Sequence, residues 1–251
     1  MKKITSLACG TNHVLALDQK GAVFAWGSGQ QNQLGRRVVE RTRANGLIPR
    51  EFGLPKNKIK YVACGSYHSF AIDKTGEVWA WGLNSFGQTG IGEGVGDDAA
   101  AVLKPKIVKS LSGKDVICMA GGGQHSVAVT SEGECLAWGR LDGGQTGLDI
   151  DTVPQESLIN NEHGVPRIVA VPTLIPDMGK VTYADAGTDH TIAITDDGKA
   201  FAWGFSENYQ TGLGQSEEVE IPTHIDNTAV REEELIWAGC GGQYSMLASH
   251  A

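Results

Sequence analysis

The chain has 251 residues, 41% hydrophobic and 20% charged, with 21 basic and 29 acidic side chains giving a net charge of −8. That length and balance fit one large globular domain or two small ones and exclude a nucleic-acid binder that works through bulk positive charge. No run of 18 apolar residues occurs, so no segment reads as a membrane-spanning helix, and the apolar part of the opening ten residues is too short for a signal peptide.

Thirty-four glycines stand against eight prolines. Glycine at about twice its usual ~7% without matching proline reads as many tight turns in a β-rich fold, not as a linker. The five cysteines, Cys9, Cys64, Cys118, Cys135 and Cys240, are odd in number and form no CxxC pair. Neither a disulfide framework nor a zinc site is expected, and a reducing compartment fits.

Taken from the N-terminus, Ile4–Cys9 reads as a strand. Gly10 opens a turn to His13, and Val14–Leu17 and Ala22–Trp26 read as two strands joined by the turn Asp18–Gly21. Gly21 supplies the positive φ that a tight hairpin needs. A Gln-x-Gly at Gln33–Gly35 follows. Next comes a basic insert with Arg36, Arg37, Arg41, Arg43, Arg50, Lys56, Lys58 and Lys60. Residues 1–60 carry eleven Lys/Arg against three Asp/Glu, so the acidic excess lies in the remainder. The cluster, Arg36, Arg37, Arg41 and Arg43 above all, suits either an acidic partner or a solvated loop.

The unit then recurs. Gly-x-x-His, a second Gly, Trp-Gly and Gln-x-Gly return in fixed register at His68, His125 and His190, with Trp81, Trp138 and Trp203. Spacings between the histidines of 55, 57 and 65 residues put all length variation in loops. The stretches 13–26, 68–81, 125–138 and 190–203 are expected to be hairpins. The segment after Gln-x-Gly should lead to a further, outer strand. The longest spacer, 148–180, is expected to be mostly exposed loop, because Pro154, Pro166, Pro172 and Pro176 oppose a long helix or central strand.

Three to four strands per unit indicate the blade of a β-propeller. A β-solenoid is the alternative, but its repeats are shorter and lack hairpin turns. One propeller domain over 1–251 is expected, with repeats near 4–58, 59–115, 116–180 and 181–234 and a half repeat at 235–251. Both ends carry the first half of a unit, so they duplicate each other instead of completing each other. This implies an all-β partial ring of four full blades and an unfinished fifth, its missing blades supplied by another chain or lost by truncation. The alternative is a compact four-bladed propeller.

The repeated histidines His13, His68, His125 and His190 invite a metal or catalytic reading. Each sits at the same place in its own blade, however, and the fifth unit has Tyr244 there. Hydrogen-bonded packing is the simpler role. Trp26, Trp81, Trp138 and Trp203 read as blade core with indole N–H groups in need of partners. Cys9, Cys64 and Cys240 share the place before the register Gly, where small buried residues are expected. Walker-type phosphate loops, GxSxG and HExxH do not occur, so neither a cofactor nor a metal is expected. The residue before each register His varies: Asn12, Tyr67, Gln124, Asp189 and then Gln243. These turns lie at one rim near the channel, and variable residues on a constant scaffold are where specificity is placed.

The unit resembles the repeat of the regulator of chromosome condensation family, which implies a seven-bladed propeller. Phe24–Arg37, Ile48–Leu54, Trp81–Gln88 and the ending Cys240–Ser245 resemble the C-terminal half of the fungal nuclear exchange factors for the GTPase Ran. The resemblance implies guanine nucleotide exchange through protein–protein binding, with a Ran-like small GTPase on this rim. It also implies a nuclear location and contact with chromatin or histones through parts of the ring outside this chain. It implies an Asp at the position of Asn12 and a His at the position of Gln124. Both differ here, and the wedge of the family belongs to blades upstream, so the isolated chain is expected to exchange weakly. A non-catalytic interaction scaffold is the alternative function.

Overall fold

The structure, a computed structural model, describes residues 3–250, the side chains of residues 40 and 42 aside; residues 1, 2 and 251 of the expected domain lie outside the described residues. Among the described residues five antiparallel sheets follow one another along the chain. The first holds β1 (Ile4–Cys9), β2 (His13–Asp18) and β3 (Val23–Gly27). The second holds β4 (Ile59–Cys64), β5 (His68–Asp73), β6 (Val78–Leu83) and β7 (Ala101–Ile107). The third has β8 (Val116–Gly121), β9 (His125–Thr130), β10 (Cys135–Arg140), β11 (Leu158–Asn160) and β12 (Pro166–Leu174). The fourth has β13 (Val181–Ala186), β14 (His190–Thr195), β15 (Ala200–Gly204) and β16 (Val219–His224), and the fifth β17 (Leu235–Cys240) and β18 (Ser245–Ser249). The architecture is all-β, in blades, as the repeat indicates.

Each expected hairpin forms in the expected register: His13 pairs with Gly27, His68 with Gly82, His125 with Gly139 and His190 with Gly204. Its turn is closed by side chains. The Asp18 carboxylate accepts from the Lys20 and Ala22 amides at 2.9 Å, and Asp73 repeats this with Thr75 and Glu77. A register shift recurs near the start of every first strand and again at the tryptophan of β6, β10 and β15. Bulges raise the right-handed twist of a strand, so every blade is twisted at the first place and the second, third and fourth blades at both.

One relay locks each blade to the next. The Ser69 hydroxyl donates to the Gln33 carbonyl (3.0 Å), and that carbonyl also accepts the Trp81 indole N–H (2.9 Å). A hydroxyl has one hydrogen to give. Its contact with His13 Nε2 (2.8 Å) is therefore accepted from the imidazole N–H, which fixes the neutral Nε2 tautomer. The pattern repeats as His68–Ser126–Gln88–Trp138 and His125–Thr191–Gln145–Trp203. It closes as His190–Ser245–Gln210. Each Gln side chain meanwhile accepts an amide of its own loop at 2.9 Å, as Gln88 does from Phe86. The register glycines make room: a Cβ on Gly122 would lie 2.1 Å from the His125 ring, and one on Gly90, at φ 73°, would meet Val108 at 2.9 Å and the Trp138 indole at 3.3 Å.

Two expectations need correction. Trp81, Trp138 and Trp203 are fully buried, but Trp26 is only half-buried, because each tryptophan is covered by the loop of the preceding blade. Among the described residues the first blade has no regular fourth strand. Its outer side is one bridge, Ala25 to Arg50, and the chain between runs through a 3-10 helix, Glu40–Leu47. The spacer 148–180 is mostly turn and irregular chain, as expected, but it also holds β12, which closes the third blade on β10, and β11, which adds a fifth strand. The prolines sit where strands tolerate them. Pro166 opens β12, and Pro172 lies between the paired residues Val169 and Thr173, where the register shifts.

Candidate functional site

The register histidines are consumed by packing. Burial holds His13 and His190 down at about 4, and burial with neighbouring imidazoles holds His68 and His125 at about 3, so all four are neutral in the physiological range. Their Nε2 atoms are spent on contacts between blades, and none is a titrating base at neutral pH.

The variable positions lie along an arc. The backbone of one turn donates to the next from blade to blade: Thr11 to Ser66 (3.2 Å), Ser66 to Gly122 (2.9 Å), Gly123 to Thr188 (2.7 Å) and Thr188 to Gly241 (3.3 Å). Asn12, Tyr67, Gln124, Asp189 and Gln243 therefore stand on a fixed backbone at the channel mouth. Asn12 and Gln243 are exposed and the other three half-buried. Below them the innermost strands line a cavity of about 380 Å³. Cys9, expected to be buried, is exposed there, and Cys64 and Cys240 are half-buried, because these positions line the channel and not a blade core. Asp185 on the same wall accepts the Cys240 amide at 2.7 Å, and burial raises its pKa.

The sequence reading missed a second set of rim positions. The residue after each Trp-Gly donates its amide to the carbonyl of the rim residue: Ser28 to Asn12, Leu83 to Tyr67, Arg140 to Gln124 and Phe205 to Asp189, at 2.7–2.9 Å. This place also varies along the repeat, and that was the available signal. Arg140 matters most. Its Nη1 donates to Gln124 Oε1 (3.1 Å), its Nε pairs with Asp142, and its guanidinium lies 5.6 Å from the Phe86 ring centroid. Arg167 stacks on the same ring at 4.8 Å and reaches Asp142 at 3.7 Å. Asp189 sits within the field of this pair. Burial raises its pKa, Arg140 opposes the rise and Asp142 adds to it.

The basic insert divides. Arg36 does not face outward: its Nη2 donates to the carbonyls of Ala25 (3.3 Å), Asn45 (3.2 Å) and Ile48 (3.3 Å), tying the insert to β3. It leaves the expected partner-facing patch for that reason. Arg37, Arg41 and Arg43 are exposed. Arg43 and rim residue Asn12 line one groove of about 720 Å³ with Ser28, Gln30, Val38 and Leu47. Two features that lie apart in the sequence thus meet over the first blade.

The RCC1-like domain family model matches residues 1–247. The chain belongs to the RCC1-like domain family. The guanine nucleotide exchange factor SRM1 of Saccharomyces cerevisiae is 43% identical over 244 residues, which cover 97% of this chain and 50% of that protein. Protein pim1 of Schizosaccharomyces pombe is 43% identical over 249 residues, covering 99% of this chain and 46% of that protein. The crystal structure of Prp20p from S. cerevisiae, a protein described with its binding to Gsp1p and histones, superposes with a TM-score of 0.92 at 42% identity and covers 97% of this chain and 55% of that one. This RCC1-like domain therefore spans about half the length of the relatives it matches.

Proposed function

We propose that the chain forms part of a guanine nucleotide exchange factor for a Ran-class small GTPase, with Asn12, Tyr67, Gln124, Asp189 and Gln243 facing the GTPase. The single observation that carries this reading is the rim: a blade-to-blade hydrogen-bonded backbone holding side chains that differ at every step. The 43% identity to the exchange factor SRM1 supplies the reaction class. The mechanism is linkage. A surface that binds the nucleotide-free GTPase better than the loaded form must weaken nucleotide binding by the same factor. No covalent bond is made, and neutral buried histidines suit that division of labour. The 251 residues are one part of a larger, seven-bladed ring with repeat boundaries near 58, 115, 180 and 234. Its other blades complete the active surface, the factor acts in the nucleus, and histones or chromatin engage parts of the ring outside this chain.

Release of a fluorescent guanine nucleotide from a Ran-class GTPase tests the proposal. The chain alone should accelerate release little. The ring completed with the remaining blades should accelerate it strongly, and Asp189→Ala should reduce that rate. If the completed ring neither accelerates release nor binds the GTPase, the reading fails. A second reading, a scaffold that binds without exchange, has one observation in its favour: Gln124, where the family resemblance implies a His, is engaged by Arg140. Binding without acceleration by the completed ring would select it.

A further inference from the structure

The first blade differs from its neighbours in one way that bears on the rim. The second, third and fourth blades add a fourth strand, β7, β12 and β16, whereas the chain after β3 turns away and folds over the rim as the Glu40–Leu47 3-10 helix. The wall it makes is fixed. Arg36 ties it to β3 through three carbonyls, and Ala25 and Arg50 exchange both backbone bonds, at 3.0 and 3.3 Å. Gly46 packs so close that a Cβ there would lie 2.6 Å from the Gly27 carbonyl, beside the Asn12 turn.

The groove so enclosed has a polar floor of Asn12, Ser28 and Gln30 and an apolar wall of Val38, Ala44 and Leu47. Above it the apolar surface is unusually open, with Leu47 70% and Ile48 48% exposed. Apart from the tie Arg36, the insert carries Arg37, Arg41, Arg43 and Arg50 against Glu40 and Glu51. A groove continuous with the rim, with an apolar wall, Arg43 in its lining and Arg37 and Arg41 exposed on the same insert, suits a segment that is negative and carries an apolar side chain.

We propose that this groove takes an acidic loop of the nucleotide-free GTPase, an apolar side chain of that loop lying against Leu47 and its carboxylates facing Arg37 and Arg41. The proposal rests on the exchange-factor reading and deepens it by assigning the first blade its own contact. Apolar anchors that lose water at the centre of a contact dominate affinity, while surrounding charges set the encounter rate and its salt dependence.

The test uses the 251-residue chain and a nucleotide-free Ran-class GTPase, with affinity measured at low and at physiological ionic strength and amide exchange followed across residues 38–48. Leu47→Ser should weaken binding roughly tenfold. Arg37→Glu with Arg41→Glu should weaken it by a similar factor, about tenfold, and flatten its salt dependence. The wild-type amides of 38–48 should be protected by the GTPase. Both sites are exposed, so melting curves should not move. Affinity unchanged within about twofold in both variants, with Asp189→Ala still weakening binding, would overturn the groove and leave the rim reading in place. Failure of the wild-type chain and the completed ring to bind the GTPase at all would overturn the reading itself.

Discussion

Ser69, Ser126, Thr191 and Ser245 are the residues on which the blade contacts turn, because each hydroxyl has an imidazole on one side and a glutamine carbonyl on the other. The glutamine carbonyls receive two donors each where a tryptophan follows, so losing one donor is cheap and losing the ring is not. Trp138→Phe should cost about 1 kcal/mol, the usual net worth of one hydrogen bond. Trp138→Ala should cost about 3–5 kcal/mol, since it also empties a fully buried site. Denaturant titration separates the two, and equal losses would show that the indole N–H and not the ring volume is what counts. The histidines set an acid limit. Their folded values of about 3 to 4 lie below the free value of 6.5, so the unfolded chain binds more protons in that interval. The stability they contribute is complete above 6.5 and drains as pH falls through that window. The melting temperature should fall between pH 6.5 and about 4, and less steeply in His125→Gln. A flat profile there would mean that the imidazoles are not held neutral. Most of this was legible, because Gly, His, Trp and Gln recur at fixed register. The hydroxyl following each histidine recurs as well, with Val14 the exception, yet its role shows only once two blades are placed side by side.

At the level of elements, the outer side of each blade was the least legible part. The three inner strands repeat with their hydrogen-bond partners close in sequence, so local alternation defines them. The fourth strand is reached after a variable loop, and its prolines argue against a strand until the bulge that holds Pro172 is seen. Trp26 was misplaced for a related reason: its sequence surroundings match those of Trp81, but burial comes from a neighbouring blade and not from its own hairpin. Arg36 and Arg37 are equivalent in sequence, and only the fold makes one a tie and the other a surface charge. Arg36→Ala removes three bonds to carbonyls. It should loosen the insert locally by roughly 1–3 kcal/mol, seen as faster amide exchange across residues 40–50 with the β5 and β9 amides unchanged. Equal acceleration throughout would show that the insert is part of one cooperative unit and not a wall fastened to it.

For the molecule as a whole, apolar cores between successive sheets hold the arc together, while both flanks stay open. Leu7 on β1 is 62% exposed, and Trp237, Tyr244 and Met246 are exposed at the other end. Large apolar surface left in water marks contact sites, and the chain spans about half the length of the relatives it matches. The rim reading has an electrostatic side too. The first blade brings the basic insert, whereas the rim around Arg140 gathers Asp142, Asp189 and Glu218, so a partner with the opposite arrangement is oriented as it docks. The positions of the rim were readable as the variable places in a constant repeat. Arg140 was not, since its importance comes from Gln124, Asp142 and Phe86 converging on it from separate loops.

Linkage is the central claim, and the most direct measurement of it is the affinity of the completed ring for one Ran-class GTPase in two states, nucleotide-free and GDP-loaded, under one set of conditions. The nucleotide-free form should bind at least about tenfold more tightly, within the range of coupling that links two sites on one protein, and Asp189→Ala should reduce that difference. Equal affinity for the two states would contradict the account, because a surface that does not distinguish them cannot drive nucleotide release.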